Sequence, residues 1–412
     1  MKIGILTYHC VANFGAQLQV LSTVCYLRNH GHEPIVIHWY PEDLENIYSW
    51  ISSEQLDTHI VFTEKFLPLS ALCRTEEELV SEVEKLELDS ILLGSDALFK
   101  YIPIRNRWYI KMGKYKPRLI HVNTPSVEKL HGNPFFGGFL SKLSHRIPAS
   151  VYAVSTQNTP FDKMSVFERR LMKSCLMNFR MISVRDTWTQ KMVCKVAGLS
   201  QIDIFPDPVF AFNNNASEFV PNKATILEKY NIKGDYLLLS FRTGECSDSY
   251  VQSLAAEAKS VGLTPIALTM PEGVCCADVQ PQISTPLSPI DWYSLIKYSS
   301  GYIGERMHPI VVALHNAVPC FSFDEYGTSI PAKVIFPRIG TWSKDKSKIY
   351  HIMKEAQLES NWYAYASKEP LPTPNEVLQR ILSFDREKCK LFSERQASQY
   401  ENGMQKIIES YS

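Results

Sequence analysis

Short apolar runs that end in polar or charged residues, each followed by a helical pattern, recur along the chain. Ile3 to Thr7 reads as a buried strand, and a loop with Asn13 and Gly15 leads to a helix over about Ala16 to Asn29. Leu18, Leu21, Val24 and Cys25 share one face of that helix, and Gly31 suits its stop. Pro34 to Trp39 is the next strand. Strand, helix and strand in immediate succession open a parallel α/β sheet. Glu76 to Leu88 reads as a charged amphipathic helix, and Ser90 to Leu93 as a central strand running into Gly94-Ser95-Asp96. Leu119 to Asn123, Ser150 to Ser155 and Met181 to Val184 are further strands, the last ending at Arg185-Asp186. Helices are predicted over Ser165 to Asn178 and from Asp186 or Thr187 to about Ala197, with Gly198 as the stop. The aromatic region from Pro41 to Leu72 shows no clear period.

A stretch with three asparagines and a proline, 211–221, reads as a linker, and the alternation then restarts. Tyr236 to Phe241 is a strand ending at Arg242, followed by a helix over Tyr250 to Val261 and a strand over Leu263 to Leu268. Ser288-Pro289-Ile290-Asp291 has the form of a helix start. Gly301 to Gly304 is a strand handing over through Glu305 and Arg306 to His308-Pro309 and a helix. Pro319 to Phe323 is the last strand of this set, and helices are expected over Tyr350 to Gln357, Pro374 to Phe384 and beyond Asp385. The expected fold is therefore α/β, GT-B-like, with two Rossmann-type parallel-sheet domains facing each other across a cleft. The boundaries read as 1–212, 213–370, and a C-terminal helical segment 371–412 packing back on the first domain.

Composition adds limits. The chain has 412 residues, too many for one core to be the prior, and 45% hydrophobic with 21% charged residues is ordinary for a globular protein. Lys+Arg and Asp+Glu are equal at 43 each, which argues against a nucleic-acid surface while leaving room for a local anion pocket. The opening Met1 to Thr7 is too soon polar for a signal peptide, and no apolar run has the length of a membrane span. The 10 cysteines lack framework or Cys-x-x-Cys spacing, so reduced cytosolic thiols are expected, with no metal site.

Ligands of such sheets bind beyond the carboxyl ends of the strands. Asn13, Asp96, Arg185, Arg242 and the pair Arg306 and His308 all follow predicted strands, so five strand ends feed one cleft. Arg306 and His308 sit at a helix N-terminus, which favours anions, and three arginines suit a small ligand with two anionic groups. A bracing ion pair for Arg185 and a satisfied core role for His308 are the structural alternatives. Asn13, Gly15, Gln17 and Gln19 line the first strand–helix turn, without a dinucleotide fingerprint. Ser95 and Asp96 offer a hydroxyl and a carboxylate, with Asp96 either taking a proton from a sugar hydroxyl or capping the next turn; Asp207 between two prolines reads as a turn fixture, and Asp324 and Glu325 suit sugar hydroxyls or a solvated loop equally well.

The order of these motifs resembles the polysaccharide pyruvyl transferase family. The residues that carry it are Lys2 to Thr7 with Asn13-Phe14-Gly15-Ala16 and Gln19, then Tyr26-Leu27 and Gly31-His32-Glu33. They continue with Leu93 to Asp96, Ile182 to Asp186, Pro206-Asp207-Pro208, Asp291 to Tyr302, Arg306-Met307-His308 and Ala317-Val318-Pro319. The likeness spans residues 1 to 325. It implies transfer of pyruvate from phosphoenolpyruvate, a co-substrate rather than a cofactor, to a sugar as a ketal, without a metal. On that basis His308, Arg306, Arg185 and Asp96 are the catalytic candidates, with His308 the acid and Asp96 the base. Arg185, Arg242, Arg306 and His308 are the donor-binding set, and Asn13, Gln17, Ser95, Asp96 and Glu325 the acceptor-binding set. The implied acceptor is a lipid-linked glycan of capsule or exopolysaccharide assembly, with galactose bridged at its 4- and 6-hydroxyls as the specific expectation. That places the protein in the cytoplasm, at the inner membrane face. Pro309 and Glu305 depart from the family pattern. A glycosyltransferase using a nucleotide-sugar and a non-catalytic binding protein of glycan assembly are the rival expectations.

Overall fold

Among the described residues, seven strands lie in the first half: β1 (Lys2–Leu6), β2 (Glu33–Val36), β3 (Ser90–Leu93), β4 (Trp108–Met112), β5 (Pro117–His121), β6 (Ala149–Val154) and β7 (Met181–Val184). Six follow in the second: β8 (Tyr236–Ser240), β9 (Thr264–Leu268), β10 (Gln282–Ile283), β11 (Gly301–Gly304), β12 (Cys320–Asp324) and β13 (Trp362–Ala364). The structure is a computed structural model describing residues 1–112, 116–157, 159–241, 246–273, 278–325, 343–367 and 369–412. The first sheet has the order β2-β1-β3-β6-β7 and the second β10-β9-β8-β11-β12-β13. All pairings within both are parallel. Parallel sheets of this kind need both faces covered, which is why β1, β3, β6, β8 and β11 are almost wholly apolar and buried.

Local chemistry sets the helix ends. Asn13 Oδ1 accepts from the Ala16 amide at 3.3 Å and opens the helix Phe14–Asn29. Asp186 does the same for Thr187–Ala197, through the Thr189 amide at 2.7 Å, and Gly198 closes that helix at φ 76°. Ser288 caps Pro289–Lys297, with proline in the first turn where its missing N–H costs nothing.

Three expectations change. Leu119 to Asn123 does not join the first sheet: β5 pairs antiparallel with β4 as a separate ribbon, and most of its side chains are exposed. The stretch 211–221 is not a free linker, since Phe212 and Ala216 are fully buried and the turn Phe212–Asn215 packs on the helix Phe14–Asn29. The aromatic region holds two helices, Glu42–Ile47 and Ser53–Phe66, the second tied to the other half by Gln55, which bonds both backbone groups of Leu287 at 3.0 and 2.8 Å.

One apolar cluster spans both halves, beside a separate cluster within each. Phe14 stacks between His59 and Trp292, with ring centroids 5.2 Å from each. The long helix Arg386–Glu409 runs back to the first half, where Tyr400 meets Tyr26 and Tyr152 edge-on at 5.4 Å. Just beyond it, Tyr411 Oη donates to the Ile91 carbonyl at 3.1 Å.

Candidate active site

Beyond the carboxyl ends of the strands, the halves enclose a cavity of about 290 Å³. From the first half come Asn13, Asp96 and Gln157, with Tyr48, Trp50 and Ile51 of the aromatic region. From the second come Glu272, Arg306, His308 and Lys348. A larger hollow of about 720 Å³ lies at the other end of the helix Met307–His315, around His315 and Asn316, away from the arginine and its strand end.

Arg306 is the N-cap residue of that helix, and its guanidinium is held by the Glu272 carboxylate. Glu305, which departs from the family pattern, is buried and outside the cavity lining, accepting from Tyr365 Oη at 2.6 Å. Pro309 is the third residue of the helix, a position whose N–H has no intrahelical partner anyway. The helix start therefore keeps the amides of Met307 and His308 for an anion.

His308 lies against Gly15 so closely that a Cβ there would overlap the imidazole ring. Its Nε2 is buried and has no hydrogen-bond partner among the described residues. Burial lowers its pKa from 6.5, opposed by the Asp96 and Asp207 carboxylates and assisted by Arg185 and Lys348. The ring is thus neutral at pH 7 and able to take a proton. Asp96 lines the same cavity with φ 100°, a left-handed conformation that costs a non-glycine residue about 1–3 kcal/mol. Its Oδ1 accepts from the Ala97 amide at 2.7 Å, which fixes where the carboxylate points.

Arg185 stands one layer back. It is 4% exposed, donates from Nη1 to Asp207 Oδ2 at 2.5 Å and lies 3.9 Å from Asp96 Oδ1. Asp207 also accepts from Gln19 Nε2 at 2.5 Å and from the Val209 amide at 3.0 Å. Asp207 is thus a turn fixture that doubles as the counter-charge of a buried cation. Asp207→Ala, which strips that counter-charge, should cost about 3–5 kcal/mol of stability, read as a lower urea midpoint.

Other expected residues do not reach the cavity. Gln17 is fully buried and bonds the His9 and His59 carbonyls at 3.2 and 2.8 Å, pinning two helices together. Ser95 Oγ donates to the Ala153 carbonyl at 2.9 Å. Glu325 follows β12 and is outside the lining, and Arg242 lies outside the described residues. Sequence reasoning missed Lys348, Glu272 and Trp50. It also missed a cluster of possible metal ligands: His9, Cys10 and His38 have ligand atoms within 4.8 Å of one another, because β1 and β2 are parallel neighbours and release their loops side by side. That cluster is not part of the cavity wall.

Two parallel sheets enclosing a cleft lined by charged side chains of both signs define a GT-B-like protein, and solved structures agree on the fold. The UDP-N-acetylglucosamine 2-epimerase from Rickettsia bellii matches with TM-score 0.51 and 12% identity, over 100% of this chain and 96% of that one. Arabidopsis thaliana UGT89C1 complexed with UDP-L-rhamnose matches with TM-score 0.51 and 8% identity, over 100% and 99%. At these identities the likeness is one of fold. No curated protein matches the chain. The sequence model for polysaccharide pyruvyl transferase covers residues 13–325. The chain belongs to that family of enzymes.

Proposed function

We propose that the cleft forms a pyruvate ketal on a hexose, with phosphoenolpyruvate as donor and inorganic phosphate as product. The observation that carries this reading is the convergence of Arg306, His308, Asp96 and Lys348 on one small cavity between the sheets. Its 290 Å³ lies just below the range of about 300–1,000 Å³ for small-molecule pockets, which suits a compact donor carrying two anionic groups.

In the mechanism, a sugar hydroxyl attacks C2 of the enol and C3 takes up a proton to become a methyl group. The bond from C2 to the phosphate oxygen breaks, with its electron pair leaving on phosphate. A second hydroxyl of the same sugar closes the ketal. One hydroxyl proton goes to C3 and the other leaves with phosphate, so charge and atoms balance. Neutral His308 takes the first hydroxyl proton and delivers it to C3, a refinement of the acid role read from the sequence. Asp96 is the base for the second hydroxyl. Arg306 and the helix start hold the donor, and Arg185 adds its charge from behind Asp96. Asn13 and the exposed Trp50, 63% accessible, line the cavity and would meet the acceptor, with the indole offering a face to a sugar ring.

The acceptor we favour is a lipid-linked glycan of capsule or exopolysaccharide assembly, with galactose joined at its 4- and 6-hydroxyls. No described helix is long and apolar enough to cross a membrane, so such an acceptor would be met by peripheral association from the cytoplasmic side.

Donor trials decide. Acceptor-dependent release of phosphate from phosphoenolpyruvate is the expected result. Release of a nucleoside diphosphate from a UDP- or GDP-sugar would overturn it in favour of a glycosyltransferase.

A further inference from the structure

The second half sends one more cation into the cavity, from beyond the family-matched stretch 13–325. Lys348 is the first residue of the helix Lys348–Glu355. That helix start is fixed from both sides of the cleft. On one side the Ser347 hydroxyl, which caps the helix through the Tyr350 amide at 3.0 Å, also donates to the Asp324 carboxylate at the end of β12. On the other, Lys346 Nζ sits 4.9 Å from the ring centroid of Trp188, in the helix Thr187–Ala197 of the first half. Lys348 is therefore carried into the cleft on a segment braced between the two sheets.

The charges facing Lys348 are Arg185, Asp96, Asp186, Lys100 and, across the cavity, His308. The carboxylates are already engaged. Asp186 accepts from Thr189 and from Ser155 Oγ at 2.7 and 2.8 Å, and Asp96 accepts from Ala97. Among the described residues Lys348 has no ion-pair partner. Nε and Nη2 of the buried Arg185 beside it have no hydrogen-bond partners among the described residues. A cation in a cavity with unspent donors behind it and a helix N-terminus beneath it is an anion site.

We propose that Lys348 binds the phosphate group of the donor and stabilises phosphate as it leaves, while Arg306 takes the donor carboxylate. This rests on the pyruvyl-transfer reading above. The division follows from the side chains. The planar Arg306 guanidinium already holds a carboxylate, that of Glu272, and a donor carboxylate can replace it like for like. An ammonium is a point charge with rotatable donors, able to follow phosphate as it changes from ester to free anion. As the C2–O bond breaks, Lys348 offsets the charge arriving on that oxygen.

The test is calorimetric titration of the full chain with inorganic phosphate and separately with pyruvate, beside the KM for phosphoenolpyruvate. Lys348→Met should weaken phosphate binding by about tenfold or more and raise that KM in step, with pyruvate binding unchanged. Lys348→Arg should keep phosphate binding and also shows that the site tolerates substitution if the methionine variant does not fold. Burial lowers the lysine pKa to about 8, so wild-type phosphate binding should weaken as pH rises past that value, and Lys348→Arg should not follow. Phosphate binding that is undetectable in wild type, equal in Lys348→Met, or replaced by a loss of pyruvate binding overturns the proposal. Lys348-dependent phosphate binding without turnover of phosphoenolpyruvate would keep this site and sink the pyruvyl-transfer reading. Turnover with Lys348-independent phosphate binding would do the reverse.

Discussion

Replacing His308 with glutamine should lower kcat for acceptor-dependent phosphate release by about 10²–10⁴-fold, the range a positioned proton carrier contributes. The fold should survive, because among the described residues the ring makes no hydrogen bond through Nε2 that the fold would lose. The pH profile provides the sharper check. Burial holds the His308 pKa below 6.5, so the neutral ring that takes the hydroxyl proton predominates at pH 7. As pH falls through the lowered value the ring is protonated, and wild-type kcat/KM should drop on that acid limb. The glutamine variant should have lost the limb along with the rate. A variant whose kcat stays within a few-fold of wild type would remove His308 from the chemistry, and with it the proton route proposed above.

The sequence carried the strand ends well and the surfaces between them poorly. β1, β3, β7, β8 and β11 are continuous apolar runs bounded by turn residues, and parallel sheets bury such runs on both faces, so pattern and structure coincide. Asn13, Asp96, Arg306 and His308 follow strands and were legible for that reason. Arg185 follows one too, but position could not say that Asp207, Asp96 and the roof of the cavity would bury it a layer back. Lys348, Glu272 and Trp50 belong to stretches without a sheet period, and what brings them to the cleft is tertiary packing. Trp50 illustrates it: no period separates it from its neighbour Ile51, yet the Ile51 side chain is buried and that of Trp50 is exposed at the cavity. Gln17 fails in the opposite sense. Its place in the first turn suggested a ligand, but the helix Ser53–Phe66 packs over it and takes its amide.

Gly15→Ala should be nearly as damaging as loss of the histidine, although Gly15 contributes no chemistry. The glycine is not needed for its backbone angles, which are helical; it is needed because the His308 ring lies where a Cβ would go. The helix Phe14–Asn29 cannot easily yield, since Phe14 is wedged between His59 and Trp292 on the joint core of both halves. The ring has to move instead, and a shift of about 1 Å in a reacting group is worth roughly 10² in rate. Overpacking at this point should also cost about 1–3 kcal/mol of stability. The double variant Gly15→Ala with His308→Ala separates contact from coincidence. With the ring gone the added methyl has space, so the stability penalty of Gly15→Ala should shrink, giving a coupling of about 0.5–3 kcal/mol in urea unfolding. Additive penalties would mean that the glycine serves its own helix rather than the histidine, and the first half would then have no part in positioning the proton carrier of the second.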